Sequence, residues 1–293
     1  MGELQQRNLT PEFGTEITGL DATAALGNTD TCARLKQLFD TRGVLVFRDL
    51  DIDETTQANL VRLLIGAGPL AGDETPSGRP SGETFYVSNK EEKGGAPYGR
   101  LLYHSDMMWS DHTFQVLSLF AVEVTPPVTP TIFASGVHGW ITLPDDLRTR
   151  VESLTAIQGH AEQERARADD DPDVLVSTFE NARTRRTPIG LRHPRTGSTV
   201  LYVSQQQTRE IEGLSGSESE ALLEELFSHL YRSEAQYEHD WHNGDLVAWD
   251  NIAIQHARPN VTLEGPVRTL RKVFAPIPPR SAKPPPPRFA KAG

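Results

Sequence analysis

Apolar positions along this chain follow two spacings, and the change from one to the other outlines the fold. In "NTDTCARLKQLFDTRG" the residues Leu35, Leu38 and Phe39 recur at helical spacing between capping residues and Gly43, which predicts a short helix. The β-branched run "VLVFRDL" then predicts a buried strand, and "DETTQANLVRLLIGAG" a second helix capped by Asp53. Further on, "TFQVLSLFAVEVTPP", "TPTIFASG", "STVLYVS" and "DLVAWD" read as strands. Helices are expected around "LPDDLRTRVESL" and in "SGSESEALLEELFSHLYRS", where Leu222, Leu223, Leu226, Phe227 and Leu230 form one apolar side. The Asn243-Gly244 pair predicts a hairpin turn ahead of "DLVAWD". Many strands with few helices and no regular βαβ alternation imply a mainly β fold, an antiparallel barrel or sandwich with α-helices packed outside.

Three stretches fall outside this pattern. Residues 72–99 shift to Gly, Pro and Ser and end in "KEEKGGAPYG", a candidate lid. Residues 161–188 are highly charged and aperiodic, a surface excursion that is either a second lid or a solvated loop. The tail "IPPRSAKPPPPRFAKAG" has polyproline character, so residues 1–276 are expected to form one domain and 277–293 a Pro-rich tail.

The 293 residues carry a net charge of −11, which argues against nucleic acid as a partner and requires any anionic ligand to find a local basic pocket. The single cysteine, Cys32, excludes an internal disulfide and suits a reducing compartment. The amino terminus has no apolar core, and no run approaches the roughly 18 apolar residues of a membrane helix. A cytoplasmic protein without a membrane partner is expected; whether copies associate into a homo-oligomer stays open.

The chemistry centres on "LLYHSDMMW", residues 101–109. In a strand, residues two apart face the same side, so His104 and Asp106 would present an imidazole and a carboxylate to one cavity. Alone, such a pair is either a hydrogen-bonded couple or half of a metal site. His256, in "WDNIAIQHARPNV", supplies a third donor, and two histidines with one carboxylate hold three positions of an octahedral Fe(II) while leaving the others open. Twelve residues on stands Arg268 in "GPVRTLRKVFAP", whose planar guanidinium can grip a carboxylate through two parallel hydrogen bonds.

These motifs, with "LTPEFGTEITGLDAT", "VLVFRDLDI", "VTPPVTPTIFASG" and "GDLVAWDNIAIQHARP", make the chain resemble the taurine dioxygenase family of Fe(II)/2-oxoglutarate-dependent oxygenases from about residue 9 to about residue 276. The resemblance implies a double-stranded β-helix (jelly-roll) core, with His104, Asp106 and His256 as iron ligands. It also implies Arg268 and Thr131 on the distal carboxylate of 2-oxoglutarate, and O2 as co-substrate. Where the family has glycines and an aspartate around that threonine, this chain has "PVTPT". Lys272 stands where taurine dioxygenase has a sulfonate-binding arginine, with Arg271 beside it, and Gln207 where that enzyme has a phenylalanine. The implied reaction is oxidation, foremost hydroxylation, of a C–H bond in a small anionic substrate, with release of succinate and CO2. Retention of Asp106 disfavours halogenation.

Two readings of other classes compete: a zinc hydrolase, and a non-catalytic jelly-roll binding protein. The first lacks an evident general base near the triad and leaves Arg268 without a role. The second does not explain three intact ligands. Tyr86, Asn89 and Arg100, in or beside the candidate lid, are substrate-contact candidates. Arg258 either faces the site or forms a surface ion pair, and Trp109 and Trp249 line the cavity or simply pack. The remaining histidines are expected to have core or surface roles.

Overall fold

The protein is described by a computed structural model covering residues 4–71, 74–77, 83–159, 173–175 and 184–276, with the backbone of 177–178 and 288–289. Most of the 161–188 excursion, part of the 72–99 loop and nearly all of the tail lie outside the described residues.

In chain order the strands are β1 (Gln5–Asn8), β2 (Thr15–Thr18), β3 (Val44–Phe47), β4 (Tyr86–Ser88), β5 (Gly99–His104), β6 (Val116–Val124), β7 (Thr131–Ser135), β8 (Thr155–Gln158), β9 (Ser177–Thr178), β10 (Arg185–Pro188), β11 (Gly190–Arg192), β12 (Thr199–Leu201), β13 (Thr208–Ile211), β14 (Gln236–His239), β15 (Leu246–Asp250), β16 (Ile254–Val261), β17 (Arg268–Ala275) and β18 (Arg288–Phe289). The helices are α1 (Ala22–Leu26), α2 (Thr29–Arg42), α3 (Glu54–Leu64), α4 (Gly136–Ile141), α5 (Asp145–Val151) and α6 (Gly216–Leu230).

A major sheet runs β1-β2-β3-β15-β6-β17-β4, and a minor sheet runs β14-β7-β16-β5. Their inner faces share one apolar cluster: Val44, Leu117, Val247, Trp249 and Leu270 from the major sheet meet Phe133 and Ile254 from the minor one. This is the jelly-roll arrangement. The outer face of the major sheet is covered by α2 and α3, where Leu35, Phe39, Leu60, Val61 and Leu64 pack on Leu45, Phe47, Val116 and Phe120. Those helices form where the sequence places their signals. Asn28 and Asp53 accept from Thr31 N and Thr56 N as N-caps, and Gly43 closes α2 at φ 71°, a left-handed conformation that suits glycine. Helix α6 begins with a complete capping box, Ser215 with Glu218, and buries Leu222, Leu223, Leu226, Phe227 and Leu230.

Two expectations are corrected. The Asn243-Gly244 turn does not make a hairpin: β14 before it pairs with β7 and β15 after it with β3 and β6, so the turn carries the chain from one sheet to the other. Gly244 adopts φ 84°, and the Asn243 side chain accepts from Val124 N, which explains the turn residues without strand pairing. The second concerns the site: β5 ends at His104, and Asp106 lies in the following turn. The antiparallel β1–β2 pair at the start of the chain has no counterpart in the sequence pattern, because its first strand is exposed throughout and carries no apolar signal.

Candidate active site

His104 and His256 are direct cross-strand partners on β5 and β16, so their rings stand side by side with centroids 4.1 Å apart. Asp106 reaches them from the turn. Its Oδ1 lies 3.3 Å from His104 Nε2 and 3.8 Å from His256 Nε2, and the three donors all lie within 4.8 Å of one another. The shared face thus arises from a turn, with Met107 at φ 65°, rather than from strand alternation. Nδ1 of His104 is 2.8 Å from the Leu102 carbonyl; with the N–H assigned there, Nε2 presents its lone pair to the other two donors. The Trp249 ring packs 4.8 Å from that of His256. Burial and the neighbouring His104 push the His256 pKa well below the usual histidine value, which keeps its imidazole neutral. For Asp106, burial alone would raise the carboxyl. The Lys272 ammonium outweighs it and holds Asp106 well below the ordinary carboxylate range. Two imidazoles and a carboxylate converging from one side fit a divalent metal with N/O preference.

A second charged element lies at the start of β17. Arg268 is 4% exposed, and among the described residues its guanidinium meets neutral oxygens: Nη2 donates to Thr131 Oγ1 at 3.1 Å and Nε to the Thr129 carbonyl at 3.1 Å. Trp241 Nε1 also donates to Thr131 Oγ1, and its ring centroid lies 5.9 Å from the guanidinium carbon. Among the described residues no carboxylate pairs with Arg268. Burial, and then the nearby Arg258, push its pKa well below the arginine value. A buried cation so placed fits an incoming carboxylate. Asn89 braces the strand by accepting from Arg268 N at 3.0 Å while donating to the Thr262 and Pro266 carbonyls. Asn89 is therefore tied up in framework bonds, contrary to its expected substrate contact.

Arg258 is also buried, at 4% exposure, which excludes the surface ion pair. Its guanidinium donates to the carbonyls of Ala96, Tyr98 and Gly99, strapping the loop ahead of β5 onto β16, and burial pushes its pKa down to about 10. The described part of the candidate lid is thus bound down on its carboxyl-terminal side.

Lys272 faces the site, four residues after Arg268, and its ammonium pairs with Asp106 Oδ2 while lying 5.4 Å from the Phe85 ring centroid. Arg271 points the other way, bonding the Gln57 side chain and the Ile52 carbonyl over the Phe120 ring, so it cannot serve as the anchor. Tyr86 is paired with Arg271 in β4, and its neighbour Val87 packs against the inner core, so alternation turns Tyr86 away from the site. Gln207 is buried with its Oε1 accepting from Met108 N, a bond that ties it to the turn after Asp106. Arg100 is stitched through its main chain to Asp173 and Leu175, so this part of the charged excursion lies against β5.

Sequence reasoning missed Asn251, whose buried amide bonds both main-chain groups of Asp106, and the buried network of His193, Arg195 and Asp250. The signal was present in "WDN": two polar residues where an apolar strand ends, Asp250 closing it and Asn251 following, need partners inside the protein. Among the other histidines, His193 and His239 are buried beside Asp250 and Asp245, in the expected core roles. His160 lies outside the described residues. Trp109 and Trp249 are members of the inner core.

Residues 5–274 match the sequence profile of the family described as taurine catabolism dioxygenase TauD, TfdA. The chain is 28% identical over 263 residues to the alpha-ketoglutarate-dependent 2,4-dichlorophenoxyacetate dioxygenase of Cupriavidus pinatubonensis, with 85% of this chain and 89% of that protein covered. It is 28% identical to the (S)-phenoxypropionate/alpha-ketoglutarate-dioxygenase of Sphingobium herbicidovorans, covering 85% and 90%. Among solved structures, AAD-2 in complex with Mn(II) and N-oxalylglycine superposes with a TM-score of 0.73 at 22% identity, covering 93% of this chain and 97% of that one. A taurine dioxygenase from Burkholderia xenovorans gives the same TM-score at 21% identity, covering 99% and 97%.

Proposed function

This chain belongs to the taurine catabolism dioxygenase TauD/TfdA family, and on that premise we propose that it is an Fe(II)- and 2-oxoglutarate-dependent dioxygenase that hydroxylates a C–H bond of a small anionic organic molecule, releasing succinate and CO2. His104, Asp106 and His256 would hold the iron, and Arg268 with Thr131 would hold the distal carboxylate of 2-oxoglutarate. When bound, iron, 2-oxoglutarate and O2 together supply the oxidising power; the protein binds, orients and shields the reactants. The observation that carries this reading is Arg268: a buried guanidinium without a carboxylate partner among the described residues, on Thr131, in the same sheet sandwich as the three donors.

The anionic substrate is supported by charge. Among the described residues, Arg258, Arg268 and Lys272 bring three cations to this region against the carboxylate of Asp106. The iron and the doubly charged co-substrate balance each other, so cationic excess remains for a substrate anion. Two relatives are named for aryloxy carboxylates, which agrees. Lys272, partly exposed and on the site face, is the anchor this reading assigns. It also takes residues 1–276 as one oxygenase domain followed by a tail, supported by β3 lying between β2 and β15 in one sheet, and places the protein in the cytoplasm.

A zinc hydrolase would leave Arg268 unexplained, and a binding protein would not need the convergent triad. The deciding experiment loads the protein anaerobically with Fe(II) and 2-oxoglutarate, admits oxygen, and measures succinate and CO2 with a panel of carboxylates, sulfonates and sulfate esters. Substrate-stimulated succinate is expected; zinc-dependent hydrolysis without oxygen uptake would overturn the reading.

A further inference from the structure

The turn that carries Asp106 is held by side-chain amides from elsewhere in the chain. Asn251, fully buried after β15, accepts from Asp106 N through Oδ1 at 2.9 Å and donates through Nδ2 to the Asp106 carbonyl at 2.8 Å. The same Nδ2 reaches the Phe114 carbonyl at 3.1 Å, where the chain leaves the turn toward β6. One residue beyond the left-handed Met107, Gln207 Oε1 accepts from Met108 N at 2.9 Å. The carboxylate itself touches neither amide. Its oxygens go to the two imidazoles and to Lys272.

We propose that Asn251 is a positioning residue for the metal site: its reciprocal pair of hydrogen bonds fixes the Asp106 backbone, so that Oδ1 is delivered to the two histidines from a turn that strand pairing does not hold. His104 and His256 need no such device, because the β5–β16 ladder already sets them opposite each other. Asp106 has no ladder, and the residue after it adopts a backbone conformation that non-glycine residues disfavour. A primary amide is suited to this position because it offers a donor and an acceptor side by side in one plane, matching the N–H and C=O of a single residue. Asp250 next door has a different role, capping Ile252 N and Ala253 N and pairing with His193 and Arg195, so the two polar residues of "WDN" divide between the metal side and the far side of the sheet.

This inference rests on the proposed metal site, and its test separates the two. Mn(II) alone is titrated into the full chain and free Mn(II) is followed by electron paramagnetic resonance, for the wild type, Asn251→Ala, the milder Asn251→Ser, and Gln158→Ala. Gln158 is an equally buried amide away from the site that bonds Thr187 and Thr208 of its own sheet and the Tyr202 carbonyl, so its variant reports the general cost of losing a buried amide. Thermal midpoints are measured alongside, and titrations are run below the lowest of them. Both Asn251 variants are expected to weaken Mn(II) binding by about 10- to 100-fold, the range for groups that orient metal ligands, with Gln158→Ala unchanged in affinity whatever its midpoint. Unchanged Mn(II) affinity in Asn251→Ser or Asn251→Ala, or an equal loss in Gln158→Ala, would overturn the positioning role alone. A wild type that binds no Mn(II) would overturn the metal site and this inference together.

Discussion

Arg195 and Arg268 each place a guanidinium largely out of water, at 10% and 4% exposure, but on opposite sides of the major sheet and in opposite company. Arg195 meets two carboxylates, Asp40 and Asp250, and Asp250 is further bound by His193 and two backbone N–H groups. Arg268 meets a hydroxyl and a carbonyl. Charges buried against opposite charges belong to the architecture, and removing one leaves its buried partner uncompensated. A charge buried without its counterion is costly to the folded chain and persists where a ligand completes it. That contrast separates framework from site here more cleanly than burial does.

The largest effect is expected on the framework side. Arg195→Met leaves the buried Asp250 without its guanidinium, while Asp40 keeps Lys36, and should cost about 3–5 kcal/mol of folding stability, seen as a lower urea midpoint at unchanged slope. A loss under 1 kcal/mol would erase the contrast.

Next comes the clamp itself. Arg268→Lys keeps the charge but loses the bidentate fork, so 2-oxoglutarate affinity should weaken by about 1.5–3 kcal/mol in calorimetry with Mn(II) present. Equal affinity would assign Arg268 another role.

At the other end of the site face, Lys272→Met should raise the KM for an anionic substrate by about tenfold, or ~1.4 kcal/mol, while 2-oxoglutarate binding is retained. Turnover unchanged with every anion tested would remove Lys272 from the substrate side.

A smaller effect follows from the Lys272–Asp106 pair in the metal-free protein. With the Asp106 pKa held below its unfolded value near 4, the folded chain binds fewer protons there than the unfolded chain. The stability from this pair is therefore fully present above about pH 4 and is lost as the pH falls through the lowered folded value. The stability gap between wild type and Lys272→Met should thus be constant from pH 7 to pH 5 and narrow below pH 4. A gap that widens on acidification would contradict the assignment.

Much of this was legible in the sequence because it rests on local signals. Capped helices, β-branched runs and the His104, Asp106, His256 and Arg268 constellation all declare themselves within short windows. The illegible part depended on what lies across the sheets. Tyr86 and Arg271 fall on the outer face through strand pairing, and Asn89 and Gln207 are engaged by backbone groups far along the chain. Arg258 stayed open between a site-facing role and a surface ion pair because its partners are carbonyls, which no side-chain motif advertises. Asp106 reaches the predicted place by an unpredicted route, a turn held by Asn251.

The claim that Arg268 is a buried charge awaiting its counterion is tested most directly by Arg268→Met, followed by thermal unfolding with and without 2-oxoglutarate and Mn(II) under anaerobic conditions. Loss of an uncompensated cation should leave the ligand-free midpoint unchanged or raise it, and should abolish the stabilisation that 2-oxoglutarate gives the wild type. A ligand-free midpoint lowered by several degrees, with 2-oxoglutarate stabilisation intact, would make Arg268 a framework residue like Arg195 and contradict its assignment to the site.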